Sequence, residues 1–271
     1  MNVSLNICNF CRMEGRRIAY YRSDILSDQF FWDEHWSVFN SGSLETFYQP
    51  YLNGYLGHGV LADVFIKYLP KQGRILEAGC GLSQHVIALR SRGYDCSGID
   101  FADKTMERVV GLFPQLPVRK GDILQLPYEN GSLDAYISLG VVEHFRNGPV
   151  PAIHEAARTL KRNGVMIISV PQVFNWRELS ASPQAAPIPE KFAFYQYAFP
   201  PEEFREVLRG EGFAVLAEYG YESHYALRQR FSWFKAMIGA VPRLTVMDLL
   251  IDRTFLGRRL GRMRLYVAVK L

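Results

Sequence analysis

The sequence is poor in the features that would take a protein out of the cytosol. No stretch approaches the ~18 consecutive apolar residues of a membrane span, and Arg12, Glu14, Arg16 and Arg17 interrupt the region where a secretory peptide needs an unbroken apolar core. Only four cysteines occur in 271 residues, too few for a disulfide-stapled scaffold and compatible with free thiols in a reducing compartment. Cys8 and Cys11 form a CxxC, but the second pair of a zinc site is missing, since Cys80 sits in a glycine turn and Cys96 in a strand-like run. The two therefore read as ordinary thiols rather than metal ligands. No Gly/Ser or Pro linker separates two halves, and a formal net charge of +4 is too small to argue by itself for nucleic acid. What remains is the expectation of a cytoplasmic chain with one large domain, whose 48% hydrophobic content supports a sizeable core.

What is present centres on Arg74-Ile75-Leu76-Glu77-Ala78-Gly79-Cys80-Gly81. An apolar run followed by two glycines one residue apart and then a helical pattern describes a buried strand that turns sharply under a ligand. Asp100, nineteen residues past Gly81, ends a second strand-like run, the position from which a nucleotide-binding α/β fold grips a ribose diol. Alternation continues on both sides. Helical patterns are expected at 60–69, 83–92, 103–113, 150–162 and 201–209, and strands at 74–78, 95–100, 118–120, 133–138, 165–169, 214–221 and 264–269. Such alternation builds a mostly parallel, doubly wound sheet with helices on both faces and ligands at the carboxyl ends of the strands.

A dinucleotide turn reads GxGxxG, whereas the sixth position here is Gln84. Glu77, Gly79 and Gly81 instead match (D/E)xGxG, and the chain at this point resembles the class I S-adenosylmethionine (SAM) dependent methyltransferases, of the type 11 or ubiquinone/menaquinone kind. Gly121-Asp122-Ile123 with Leu126-Pro127, Ser132 to Ser138, and Leu160-Lys161-Arg162-Asn163-Gly164 are similar to three further motifs of that family in the same order. The resemblance implies a seven-stranded Rossmann-like sheet whose last strand is antiparallel. It also implies a SAM site in which Glu77 receives the ammonium, Gly79, Cys80 and Gly81 form the turn, and Asp100 accepts from the ribose. Phe101 packs on the adenine, Asp122 and the Ile123 amide meet it, and Leu139 begins the loop that lies beside the transferred methyl. In the loop after the fourth strand, Glu143 and His144 are candidate catalytic residues, with His144 able to take a proton from an oxygen or nitrogen nucleophile. Quinone-pathway relatives place a further metal-binding Glu where this chain has Gly140, so no metal is expected. The alternatives are an NAD-dependent oxidoreductase and a SAM-binding interaction protein without chemistry.

Residues 1–59 are expected to form a helical lid segment and 60–271 the SAM-binding domain, with insertions at 171–200 and 224–262. Residues 1–22 show no period, a helix with a strongly aromatic face spans 27–39, and 48–59 reads as a turn region. The first insertion carries five prolines from Pro171 to Pro200 and a dense aromatic run. Together with the aromatic helix it is expected to form a pocket for a small-molecule or lipid-like acceptor, lined by Trp36, Tyr195 and Tyr197. Nucleic-acid amines are disfavoured, because the loop reads Ser138-Leu139-Gly140-Val141 rather than Asn/Asp-Pro-Pro-Tyr. The second insertion holds eight Lys/Arg against two Asp, an excess of +6, which suits a helical cap, a dimer contact or an anionic membrane surface.

Overall fold

The structure is a computed structural model, described for residues 10–23, 29–37, 41–57, 59–173, 187–188, 190–223, 252, 254, 257 and 261–271. Nearly all of the basic segment 224–262, Cys8 and the middle of the first insertion lie outside these residues.

Among the described residues ten strands form two sheets. The larger takes β3 (Arg74–Ala78), β4 (Asp95–Asp100), β5 (Val118–Lys120), β6 (Leu133–Leu139), β7 (Leu160–Pro171), β9 (Phe213–Tyr221) and β10 (Met263–Lys270) in the order β5-β4-β3-β6-β7-β10-β9. β3 pairs in parallel with both β4 and β6, and β10 runs antiparallel between β7 and β9. This is the expected doubly wound sheet with one reversed strand. Its central strands are buried on both faces, which explains their unbroken apolar runs. Leu76, Tyr136, Met166 and Ile168 face one layer with α6 (Val150–Thr159) and α7 (Pro201–Gly210). Ile75, Ala135, Ile137 and Ile167 face the other layer, with α3 (Val60–Tyr68), α4 (Gln84–Ser91) and α5 (Asp103–Leu112).

The N-terminal region departs from the helical expectation. Two helices are there, α1 (Gln29–Ser37) and α2 (Ser41–Leu52), the second running through part of the expected turn region. Ahead of them β1 (Phe10–Glu14) and β2 (Arg17–Ser23) form a hairpin, closed by Gly15-Arg16 with Gly15 at φ 65°, a two-residue turn whose twist matches the strands. β8 (Phe192–Ala198), inside the first insertion, pairs antiparallel with β2 and completes a second sheet, β1-β2-β8. Ala19, Tyr21, Tyr197 and Phe199 bury the inner side of this small sheet in the α6/α7 layer.

Candidate active site

At the carboxyl end of β3 the chain turns back on itself. The amides of Gly79 and Cys80 both donate to the Ile99 carbonyl at the end of β4, at 2.8 and 3.1 Å. Gly81 N donates to Asp100 Oδ2 and Ala102 N to Asp100 Oδ1, at 2.8 and 2.9 Å. Asp100 therefore ties the glycine turn to the start of α5 before any ligand arrives, and each oxygen keeps a further lone pair for a hydroxyl. Gly79 and Gly81 adopt φ of 79° and 49°, a conformation that a side chain resists. Their missing Cβ positions are not open space. A Cβ on Gly79 would stand 2.4 Å from Val141 Cγ2, and one on Gly81 would stand 2.7 Å from Trp36 Cζ2. Thus the loop after β6 and the helix α1 both press directly on the turn.

The turn gathers carboxyl groups that no cation compensates among the described residues. Glu77 is buried, its Oε2 has no hydrogen-bond partner, and burial with the nearby Asp100 charge pushes its carboxyl up to about 8. Asp100 is raised by burial and by Asp33, against the backbone amides that hold it down. No ion pair reaches Glu77, Asp100 or Asp33 among the described residues. A cationic ligand is what this cluster lacks, and the ammonium and sulfonium of SAM fit it.

Asp33 was not foreseen as a site residue. From α1 it accepts from Thr105 N and Oγ1, at 3.0 and 3.2 Å, and so caps the first turn of α5 from another helix. Arg108 Nη2 donates to the Trp36 carbonyl at 2.6 Å. These bonds hold α1 over the turn, with Trp36 against Gly81 and Trp32 stacked on Trp36 at 6.4 Å.

The loop after β6 brings the second pair of candidates. Val142–His144 form a single 3-10 turn that buries Glu143. His144 Nδ1 lies 2.8 Å from the Tyr195 carbonyl, which can only accept, so Nδ1 carries the proton. Burial lowers the imidazole to about 4, against the raising effect of that bond, and His35 lowers it further. Its ring meets Trp32 edge-on at 4.8 Å and Tyr195 at 5.0 Å. Glu143 Oε1 is 4.0 Å from Nε2, its Oε2 has no hydrogen-bond partner, and burial pushes this carboxyl up to about 8.

The other expected residues divide. Phe101 is 40% exposed at the end of β4, as a stacking surface must be. Asp122 is exposed, with Oδ1 closing a turn onto Leu124 N at 2.8 Å, while Ile123 is buried in the core. Cys80 is buried, its thiol pushed well up by burial, and Leu139 is half-buried. Cys11 lies half-buried on β1. Tyr195 and Tyr197 part company. Opposite Tyr20 and Tyr21 the pairing slips from Gln196 to Phe194, so Tyr195 is the extra residue of a bulge, a device that re-aims a side chain. Tyr195 turns to His144 and to Phe31 at 5.9 Å. Tyr197 instead packs on Phe194 and Phe199 and donates to Glu14 Oε2 at 3.0 Å, away from the other candidates. Burial would raise Glu14, but bonds from Arg146, Tyr21, Arg12 and Tyr197 outweigh it and hold it at about 2.

Comparison with known proteins agrees with this geometry. A family model described as a methyltransferase domain matches residues 76–168, from β3 to β7. A Mycolicibacterium smegmatis protein described as a SAM-dependent methyltransferase is 28% identical over 97 residues, 36% of this chain and 37% of that one. The methyltransferase YqeM of Bacillus subtilis is 24% identical over 189 residues, 54% of this chain and 76% of its own. The match thus spans little more than a third of the mycobacterial relative's length. Among solved structures, a Haloferax volcanii methyltransferase in complex with the Trm112 activator covers 91% of this chain and 97% of its own, with a TM-score of 0.58 at 17% identity. A Pyrococcus horikoshii protein covers 88% and 99%, with a TM-score of 0.56 at 16% identity. These two share the fold. With the motif order, the seven-stranded sheet and the matched domain in agreement, residues 76–168 carry a methyltransferase domain, and the chain is similar there to SAM-dependent methyltransferases.

Proposed function

We propose that this chain transfers the methyl group of SAM to a small, ring-bearing acceptor with an oxygen or nitrogen nucleophile, held between α1, β8 and the loop after β6. The observation that carries the reading is the His144 imidazole, buried and uncharged among Trp32 and Tyr195, in a loop whose Val141 packs against Gly79. Bound SAM supplies a methyl already activated by its sulfonium. The residues that would hold it are Glu77 for the ammonium, Asp100 for the ribose hydroxyls, and Phe101 and Asp122 for the adenine.

The chain's own task is then alignment, water exclusion and proton removal. Alignment of two reactants can supply up to ~7–11 kcal/mol of barrier reduction. The rings of α1 keep water from the turn, which strengthens every charge interaction beneath them. With Nδ1 committed to the Tyr195 carbonyl, Nε2 is the nitrogen that accepts the nucleophile's proton. That proton places positive charge 4.0 Å from Glu143 Oε1, where it favours ionisation of a carboxyl that burial otherwise keeps protonated to about pH 8.

Calorimetry with SAM, S-adenosylhomocysteine and NAD, followed by transfer of labelled methyl from SAM to extracts of the native host, tests the proposal. Tight NAD binding without SAM binding would make the chain an oxidoreductase. S-adenosylhomocysteine binding with no labelled product would make it an interaction protein.

A further inference from the structure

The aromatic cluster beside His144 carries one permanent charge that methyl transfer does not use. Arg22, on β2, lays its guanidinium carbon 4.9 Å from the centroid of Tyr195 and 5.7 Å from that of Phe31. Its charge acts on Tyr195 and reaches His35. The surrounding arginines are matched by carboxylates: Arg17 with Glu203, Arg12 and Arg146 with Glu14, Arg262 with Glu222, and Arg264 with Glu218. Arg22 has no carboxylate partner among the described residues.

Two arguments narrow what that charge is for. Aromatic faces grouped in this way often bind cations, but a cation already lies over Tyr195 and Phe31, so a second positive group would be repelled. A planar guanidinium fixed against two rings keeps its fork oriented, and that fork matches the two oxygens of a carboxylate. Tyr195 is the common neighbour of Arg22 and His144, at 4.9 and 5.0 Å. Guanidinium and imidazole are thus separated by no more than those two distances laid end to end, a gap that one substituted benzene ring bridges.

We infer that Arg22 is the anion-recognition residue of the acceptor site, and that the acceptor is an aromatic acid whose carboxylate meets Arg22 while its ring lies against Tyr195 and Phe31 and its nucleophile faces His144. The inference rests on the acceptor site proposed above. It is tested with the full chain saturated with S-adenosylhomocysteine, titrated with 4-hydroxybenzoate and with neutral 4-hydroxybenzamide, using tryptophan fluorescence from Trp32 and Trp36. The acid is expected to bind at least about tenfold more tightly than the amide. Arg22→Gln should remove that preference while leaving S-adenosylhomocysteine affinity unchanged, and Arg22→Lys should keep part of it. Equal binding of the two probes to the wild type, a preference that survives Arg22→Gln, or no binding of either probe up to its solubility overturns the assignment. Failure of the wild type to bind S-adenosylhomocysteine overturns the methyltransferase reading instead.

Discussion

His144 offers the sharpest test, because its role in the reaction and its cost to the fold make separate predictions. Above the ordinary histidine value of 6.5 the imidazole is neutral in both folded and unfolded chains. As pH falls, the unfolded chain takes up a proton that the folded chain refuses until about 4, since burial disfavours the charged ring. The stability present above 6.5 is therefore lost on the way down, and over that window the loss is about 3 kcal/mol from this one group. His85, lowered to about 4, and His35, also lowered by burial, act in the same direction, so the wild-type slope alone does not isolate His144. His144→Gln does, because its amide still donates to the Tyr195 carbonyl but does not titrate. Urea unfolding of both proteins between about pH 7.5 and about pH 4.5 should show the variant gaining on the wild type by about 2–3 kcal/mol. The same replacement should lower kcat by about 10²–10⁴ if Nε2 is the base, and the acid limb of the wild-type kcat/KM profile should fall near 4 rather than 6.5. Parallel stability curves for the two proteins, or an acid limb at the ordinary histidine value, would refute the reasoning.

Three further substitutions probe the surroundings. Gly79→Ala combines a φ of 79° with a Cβ 2.4 Å from Val141 and should cost about 2–4 kcal/mol. Adding Val141→Ala should recover only the steric part, and a double variant no more stable than the single one would remove Val141 as the cause. Asp33→Ala leaves Thr105 N and Oγ1 without their acceptor, at about 1–2 kcal/mol. Hydrogen exchange should rise in 29–37 while β3 and β7 stay protected, and a uniform loss of protection would contradict the latch. Glu143→Gln removes a carboxyl held protonated to about 8 in the fold but ionising near 4.5 when unfolded. That stability is present below 4.5 and lost as pH rises to 8, so near pH 8 the variant should be the more stable, by at most about 5 kcal/mol; a difference that does not vary with pH refutes it.

The cofactor half of the site was legible because its signals are local. β3, the turn and α4 form one unbroken stretch, and Gly93, at φ 84°, follows α4 close to the end of the expected helix 83–92. Strands buried on both faces announced themselves as apolar runs. Boundaries failed where pairing overrode propensity. α6 ends at Thr159 rather than at Arg162, because Leu160 is already extended and pairs with Leu133, and Asn163 rather than Gly164 takes the positive φ of that turn. The β1-β2 hairpin went unseen because its pattern is not a clean alternation: Ile18 and Ala19 are both buried, and β2 is completed by β8 from far along the chain.

The acceptor half was legible only in composition. Aromatic density at 27–39 and 192–199 marked segments whose rings the structure brings together, but which rings meet was settled by features with no short-range signature. A single bulge separates Tyr195 from Tyr197, although residues two apart in a regular strand share a face. Asp33, one carboxylate within an aromatic run, fixes α1 to α5 through a residue 72 positions away. Glu14 accepts from Arg146, two residues beyond His144, and from Tyr197 on β8, so the hairpin and the candidate catalytic loop are held by one half-buried carboxylate. The geometry of the proposed acceptor site therefore depends on how β2, α1 and β8 are tied together, while the glycine turn depends on β3 and β4. On that proposal, changes in β2 and β8 alter which acceptor is methylated while the carboxylates that suit the cofactor stay in place.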